Sequence, residues 1–210
     1  MPIRYEHSIR IKVIVFRVGK GILLLCPKRN DSEESIDLSH FVHRVPIEAY
    51  FGDGMDMVTA EDVKQAQQAW GEGVVEIATA HSTGMDYVGR ARLHVEALYA
   101  YDLGPVLFKP TFAVKQQFRP TFEGALSYFV AENGACPEDN GFAIQGWTKV
   151  RFENDDIVIN GTSAMVMGNY FFTPPEGDEV KVEFSFGYIA DSAGALRIHL
   201  HHSSIPARID

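Results

Sequence analysis

The chain contains little cysteine. Among its 210 residues there are two, Cys26 and Cys136, which lie far apart and form no C-x-x-C motif. That spacing excludes a disulfide framework and a zinc site built from thiolates. We interpret both residues as ordinary reduced thiols.

Positive charge and long apolar runs are also scarce. The net charge of −9 argues against duplex nucleic acid, because phosphate binding needs a basic surface. Arg17 and Lys20 interrupt the apolar segment 9–30, so no membrane-spanning run of about 20 apolar residues is available. No small-residue cleavage site follows this segment, which disfavours a signal peptide. We therefore expect no nucleic-acid or membrane partner and a cytoplasmic location.

The hydrophobic content of 46% is enough for one domain with a substantial core. The stretch "FGDGMDM" is typical of a turn-rich boundary, and it divides an N-terminal extension, residues 1–54, from a compact domain, residues 55–210. The first 30 residues carry seven Lys or Arg against Glu6 alone. This extension is either a two-stranded addition to the domain or a segment upstream of the true start, as Met55 and Met57 suggest.

Helical patterns occupy the first half of the domain. "TAEDVKQAQQAWGEGVVEIATAHS" opens with Thr59 and Asp62 as a variant capping box, and its apolar residues recur at helical spacing. Gly71 and Gly73 should weaken or kink this long helix. "DYVGRARLHVEALYAY" and "RPTFEGALSYFVAEN" predict two shorter helices, the latter capped by Thr121. Between these two helices, "PVLFKPTFAVKQQFR" predicts a strand that proline restricts to an edge or a bulge.

From residue 141 onward the chain is rich in β-branched and aromatic residues. Four such runs are separated by the turn signals "NDD", "PPEGD" and "DSAGA", which predicts a four-strand antiparallel meander. Helices followed by a curved sheet indicate an α+β domain in which the sheet wraps the long helix.

The last strand, "LRIHLHHSSIPA", is where chemistry concentrates. Simple alternation places Arg197, His199, His201 and Ser203 on one face, with Leu196, Ile198, Leu200, His202 and Ser204 on the other. Three interpretations remain open. His-x-His is a way to begin a zinc site, with a third ligand from His81 or His94. Alternatively, the histidines are solvated at an edge, or they line a metal-free pocket together with hydroxyl groups.

The stretch "HHSSIP" resembles the His-His-Ser-Ser-x-Pro signature of the iota class of carbonic anhydrases. The similarity extends through "VLFKPTFA", "QFRPTFEGALSYFV", "AMVMGNYFFT" and "VKVEFSFGY", and covers 58–207. The wider family resembles the association domain of calcium/calmodulin-dependent kinase II. This resemblance implies a cone-shaped fold like that of nuclear transport factor 2, which usually dimerises through its sheet.

The resemblance implies reversible hydration of carbon dioxide to bicarbonate. Some members of the class are metal-free and hold the reacting water with Thr, Tyr and Ser hydroxyls, and a manganese-dependent member is also described. The matching positions here are Thr111, Tyr128, and either Ser203 or Ser204. Carbon dioxide and bicarbonate are thus the expected partners, a homodimer is the expected assembly, and no cofactor is expected.

Histidines have two expected roles beside these hydroxyls. His201 and His202 would orient them or relay the proton, since histidine has a suitable reference pKa of about 6.5. If the enzyme uses zinc or manganese instead, His199 and His201 are the candidate ligands.

Two other functions stay open at this point. One is a non-catalytic association domain that uses the same cone to oligomerise. The other is an isomerase or hydrolase of small apolar molecules, which needs a buried carboxylate as general base. Glu123 and Glu183 are the candidates, although Glu183 alternates with Val182 and Phe184 as a surface residue would.

Overall fold

The computed structural model describes residues 57–207 and the backbone of three short strands nearer the N-terminus. These strands form an antiparallel sheet in chain order: β1 (Ile14–Val18), β2 (Gly21–Leu25) and β3 (Arg44–Val45). The chain divides into two compact units, Met1–Met55 and Asp56–Asp210. Cys26 and the polar loop that follows it lie outside the described residues.

The second unit contains helices, one short 3₁₀ turn (Phe142–Ile144) and strands. The helices are α1 (Ala60–Ser82), α2 (Tyr87–Leu98) and α3 (Phe122–Val130). The strands are β4 (Leu107–Lys109), β5 (Lys149–Asn160), β6 (Ser163–Thr173), β7 (Val180–Ala190) and β8 (Leu196–Ser204). Among the described residues, no helix is long and apolar enough to cross a membrane.

The sheet of this unit has the strand order β4-β8-β7-β6-β5. Strands β5 to β8 pair antiparallel as the predicted meander, and β4 adds to β8 in parallel at the edge. β4 ends at Lys109, directly before Pro110, which has no N–H to continue the ladder. The predicted α+β class, with a long helix against a curved antiparallel sheet, is confirmed.

Helix α1 begins with the predicted capping box. The Thr59 hydroxyl accepts from the Asp62 N–H at 3.2 Å, and the Asp62 carboxylate accepts from the Thr59 N–H at 2.8 Å. The helix runs through both internal glycines without a break. A Cβ at Gly71 would lie 3.2 Å from Val150 Cβ, and one at Gly73 would overlap the His94 ring. The two glycines therefore let β5 and α2 pack closely against the helix.

The core is an aromatic cluster around Trp70 of α1, which is 1% exposed. Its indole stacks on the Tyr170 ring of β6, with centroids 5.7 Å apart. Six further rings surround it within 6.3 Å, namely His94, Phe129, Phe152, Phe172, Phe186 and His201. Burying the helix against the sheet in this way removes apolar area from water and stabilises the unit.

Strand β8 departs from simple alternation. Gly187 pairs with Leu200 while Tyr188 pairs with Ile198, so His199 is an extra residue without a partner on β7. Because of this β-bulge, the even-numbered residues face the core before His199 and the odd-numbered residues face it after His199. The buried residues are Leu196 and Ile198 before the bulge and His201 and Ser203 after it. The prediction of one uninterrupted alternation through 196–204 is therefore wrong.

Candidate active site

Four hydroxyl groups meet inside the cone, and we call Thr111, Tyr128, Tyr170 and Ser203 the hydroxyl cluster. Tyr170 lies at its centre, on the inward face of β6 and 2% exposed. Burial raises the pKa of Tyr170, and the neighbouring hydroxyls of Ser203 and Thr111 oppose that shift. The phenol therefore stays protonated at neutral pH and serves as a hydrogen-bond donor.

Tyr128 enters the cluster from the last turn of α3, whose predicted N-cap, Thr121, accepts from the Gly124 N–H at 3.1 Å. Its ring stacks on Phe142 with centroids 5.5 Å apart. Burial raises the pKa of Tyr128, and the neighbouring Thr111 hydroxyl lowers it to a smaller extent. Tyr128 is thus a second protonated phenol that shares Thr111 with Tyr170.

Thr111 reaches the cluster because β4 runs parallel to β8. Phe108 is level with His201 and Lys109 with His202, so the chain leaves β4 beside the end of β8. Thr111 follows Pro110 in the turn after the strand and is half-buried. The edge position that proline imposes therefore places this hydroxyl at the mouth of the cone.

The two serines of "HHSSIP" face opposite sides of the sheet. Ser203 is 3% exposed and lies beside the Tyr170 phenol. The Ser204 hydroxyl instead donates to the Glu183 carboxylate at 3.2 Å on the outer face. The similarity left the choice between them open, and the bulge decides it because it turns Ser203 inward.

His201 is the inward-facing histidine, and His202 is exposed on the other side of β8. The His201 ring stacks on Phe108 at 4.6 Å and meets the edge of Phe186 at 4.2 Å. Its Nδ1 lies 2.8 Å from the Tyr99 hydroxyl, and its Nε2 lies 3.5 Å from the Tyr170 hydroxyl. Both nitrogens therefore face phenols.

Burial holds the pKa of His201 well below its ordinary value, and the neighbouring His202 and His94 add to the effect. The ring is neutral at pH 7 and is a poor acceptor for a further proton. Of the two roles predicted for this residue, the geometry favours orienting hydroxyls over relaying a proton.

The histidines named for a metal site do not converge. The bulge places His199 beside Gly187 on the outer face, whereas His201 faces the core. His81 packs on Tyr87 at 4.8 Å near the end of α1. His94 is buried against Trp70, and burial lowers its pKa to about 3.

A catalytic zinc keeps three protein ligands. Across residues 57–207, no group of three or more His, Cys, Asp or Glu side chains is placed to hold a metal ion. The described residues therefore do not fit the zinc or manganese alternative.

A cavity of about 430 Å³ reaches the cluster at Tyr128, and Phe112, Phe142 and Trp147 form much of its apolar wall. Two carboxylates, Glu138 and Asp139, also line it, and both belong to a group that includes Arg119. We call these three residues the carboxylate clamp.

The carboxylate clamp holds the loop that carries Thr111. Buried Arg119 pairs with Asp139 at 2.6 Å, and Asp139 also accepts from the Ser127 hydroxyl at 2.8 Å. Glu138 accepts the backbone N–H groups of residues 114–116 at 2.8 to 3.2 Å. These bonds, chiefly the one from Lys115, lower the pKa of Glu138. Both carboxylates are thus engaged in holding the loop.

The carboxylates proposed for an isomerase or hydrolase lie elsewhere. Glu183 is exposed beside Ser204, as its alternation predicted, and Glu123 is exposed and pairs with Arg92 at 3.3 Å. Neither supplies the buried base that such a function requires.

The sequence analysis did not identify Tyr170. It also missed Tyr99 and Trp70, which form a hydrogen-bonded chain in which Trp70 contacts Tyr99 and Tyr99 contacts His201. The Trp70 Nε1 lies 3.1 Å from the Tyr99 hydroxyl. The spacing of "AMVMGNYFFT" indicates that Tyr170 faces inward, but no local pattern shows which hydroxyls its phenol meets. Those partners come from β4 and β8.

Comparisons with known proteins indicate one family. A sequence model of the family described as metal-independent carbonic anhydrase matches residues 61–205. The metal-independent carbonic anhydrase of Nostoc sp. (strain PCC 7120) is 41% identical over 152 residues, which are 71% of this chain and 74% of the relative.

Solved structures extend the comparison. The iota-carbonic anhydrase from a cyanobacterium, complexed with bicarbonate, superposes with a TM-score of 0.72 at 40% identity, over 74% of this chain and 97% of that one. A putative calcium/calmodulin-dependent protein kinase II association domain from Xanthomonas campestris has a TM-score of 0.46 at 22% identity, covering 72% and 91%. The resemblance carried by the last strand and its partner motifs is confirmed, and the chain belongs to the family of metal-independent, iota-class carbonic anhydrases.

Proposed function

We propose that this chain catalyses the reversible hydration of carbon dioxide to bicarbonate in the hydroxyl cluster. The observation that carries the proposal is the meeting of four hydroxyls, from the turn after β4 and from α3, β6 and β8, in a buried aromatic pocket. The bicarbonate complex of the cyanobacterial iota-carbonic anhydrase supports bicarbonate as the ligand.

Hydration requires hydrogen-bond donors beside the oxygen that becomes negative and a positioned water beside the carbon of carbon dioxide. The water oxygen bonds to the carbon of carbon dioxide, and one C=O electron pair moves onto an oxygen that becomes negative. Tyr128 and Tyr170 are protonated phenols suited to stabilise that oxygen. Thr111 and Ser203 have hydroxyls that both donate and accept, so they can hold the attacking water.

The proton that the water loses passes, in this proposal, to solvent water or buffer through the cavity beside Tyr128. His201 is neutral, and both of its nitrogens face phenols. Glu138 and Asp139 already accept hydrogen bonds within the carboxylate clamp. Zinc lowers the pKa of bound water from 15.7 to about 7, and uncharged hydroxyls have no comparable effect. We therefore expect a moderate rather than a diffusion-limited rate.

Stopped-flow hydration of carbon dioxide tests the proposal on protein stripped with a chelator and checked for residual metal. Activity should survive stripping and fall on the order of 10²-fold in Thr111→Ala and in Tyr128→Phe, since each change removes one preorganised hydroxyl. Loss on stripping with recovery in zinc or manganese would contradict metal independence. No activity in either state would leave an association domain.

We also propose that the chain forms a homodimer through its sheet. Apolar side chains on the outer face support this assembly, because Val158, Met165 and Met167 are 54%, 61% and 62% exposed. Light scattering should give a dimer for the wild type and a monomer for Met167→Glu, and a wild-type monomer would contradict the proposal. The cytoplasmic location stays a prediction.

A further inference from the structure

We infer that Trp70 and Tyr99 are positioning residues that fix the direction of a hydrogen-bond chain through His201, so that Tyr170 donates its hydrogen into the hydroxyl cluster. The direction follows from the donors and acceptors alone. Its catalytic consequence rests on the proposed function of the cluster.

The chain begins at a group that can only donate. The indole Nε1 of Trp70 carries a hydrogen and no lone pair for accepting, and it lies 3.1 Å from the Tyr99 hydroxyl. The Tyr99 oxygen therefore accepts from Trp70. Among the described residues this hydroxyl has no hydrogen-bond partner besides Trp70 and His201 Nδ1, which is 2.8 Å away, so its own single hydrogen is directed to Nδ1. Nδ1 is thus an acceptor and carries no hydrogen.

The tautomer of His201 follows from this assignment. Burial keeps the ring neutral, and a neutral imidazole carries one N–H. That hydrogen is on Nε2, which faces the Tyr170 hydroxyl at 3.5 Å, a weaker contact than an ordinary N–H···O bond of about 2.7–3.2 Å. With Nε2–H directed at the Tyr170 oxygen, the hydrogen of that phenol points away from His201, to the side where the Ser203 and Thr111 hydroxyls lie.

Packing holds the His201 ring in this orientation. The His201 ring is held between the face of Phe108 and the edge of Phe186, so a ring flip would need both to move. Arg197 donates to the carbonyl of Tyr99 at 2.8 Å, which fixes the end of α2 against β8. The Tyr170 donor is therefore aimed before substrate arrives, and a preorganised donor needs no reorientation during the reaction.

Without the indole, the direction would be lost. If the Tyr99 hydroxyl could accept from His201, the hydrogen would move to Nδ1 and Nε2 would become an acceptor. Tyr170 would then turn its hydrogen toward His201 and present only lone pairs to the cluster. An oxygen that becomes negative during hydration would meet a repulsive group in place of a donor.

Nitrogen-15 NMR of the histidine rings at pH 7, without substrate, tests the direction. His201 is assigned by comparison with His201→Gln and should give the Nε2–H tautomer. Tyr99→Phe removes the hydrogen that Nδ1 accepts and should shift His201 toward a mixture of tautomers. Trp70→Phe should also shift His201 toward a mixture of tautomers. If this larger substitution disturbs folding, Tyr99→Phe alone still tests the direction. An Nδ1–H tautomer in the wild type would overturn the inference whatever the activity.

Hydration kinetics test the consequence. Tyr99→Phe should lower kcat on the order of tenfold with KM little changed, less than the 10²-fold expected for Tyr170→Phe, which deletes the donor itself. Tyr101→Phe is the matched control. Its ring stacks on Tyr99 at 6.0 Å, but its hydroxyl donates to the Arg119 carbonyl at 2.8 Å, outside the chain. Tyr101→Phe should change neither the tautomer nor kcat.

The outcomes separate this inference from the proposed function. If the wild type has the expected His201 tautomer but Tyr99→Phe and Tyr170→Phe keep full activity, the positioning role is overturned. The expected tautomer in a protein without hydration activity would confirm the direction and contradict the function instead.

Discussion

The hydroxyl cluster and the carboxylate clamp reach the same cavity, the first through Tyr128 and the second through Glu138 and Asp139, yet they are built from opposite kinds of group. The cluster is uncharged, and burial keeps its phenols protonated. The clamp concentrates a buried guanidinium and two carboxylates, which bind each other and the backbone of the loop. The difference teaches that charge here fixes the shape of the site, while the groups proposed to meet carbon dioxide are neutral donors.

Removing the cation of the clamp should have the largest effect. Arg119 is fully buried, and Arg119→Met leaves the Asp139 carboxylate buried with Ser127 as its remaining polar partner. Breaking a buried pair on one side costs about 3–5 kcal/mol, and we expect that loss in urea denaturation. Arg92→Met, which breaks an exposed pair, is the control. A loss below about 1 kcal/mol for Arg119→Met would mean that solvent reaches Asp139.

Next in size is the contrast between the two neighbouring serines of β8. Ser203→Ala should lower kcat on the order of 10²-fold, because it removes a hydroxyl beside Tyr170. Ser204→Ala removes only an outer contact with Glu183 and should leave kcat unchanged. Equal losses in both variants would contradict the separation that the bulge produces.

As the pH is lowered, the protein should lose stability through its buried histidines before the carboxylate clamp is affected. Unfolded histidine binds a proton near pH 6.5, whereas burial lowers the pKa of His94 to about 3. Between these values the unfolded state binds more protons, so stability falls as the pH is lowered. We expect a loss of about 1.4 kcal/mol per pH unit for each buried histidine, measured by urea denaturation at pH 7 and pH 5.

His94→Leu should reduce that pH dependence, since it leaves His201 as the buried histidine of the core. His81→Leu, at an exposed position on α1, serves as its control. An unchanged slope in His94→Leu would mean that His94 is protonated in the folded protein.

Local sequence signals predicted the elements of the fold well. Thr59 with Asp62 and Thr121 each act on their own neighbours, and a helix starts where each predicts one. Pro110 predicted an edge position for its strand, and β4 is the edge strand, although it covers only Leu107–Lys109 of the predicted stretch. The bulge at His199 could not be predicted in this way, because it exists only in the pairing of β8 with β7. That single residue decides which serine and which histidine face inward.

The site was accessible from sequence only in part. Family resemblance named Thr111 and Tyr128, and it narrowed the serine to two. Tyr170 escaped because its role depends on hydroxyls brought to it by two other strands. An inward-facing tyrosine in a strand looks the same whether its phenol is functional or merely buried.

The smallest effect should come from Glu138→Gln, which removes charge from the clamp but keeps an acceptor. Glu138 Oε1 accepts from the N–H groups of Val114, Lys115 and Gln116 at 2.9 to 3.2 Å, and an amide oxygen can replace it. The second oxygen accepts from Lys115 at 2.8 Å, and an amide NH₂ there would meet that N–H. Hydrogen exchange at Lys115 should therefore quicken, while kcat stays within about twofold.

The hydrogen bond from the Lys115 N–H to Glu138 also makes hydrogen exchange at Lys115 depend on pH in a defined direction. The pKa of Glu138 lies below its ordinary value of 4.5 because the backbone N–H groups bind the charged form. The stabilising contribution of the Glu138 carboxylate is therefore present above pH 4.5 and is lost as the pH falls through the lowered pKa. In strong acid, exchange at Lys115 in the wild type should approach that of Glu138→Gln. A fall in kcat as large as that of Ser203→Ala would instead make Glu138 a proton acceptor in the reaction, and the division between a neutral site and a charged support would not hold.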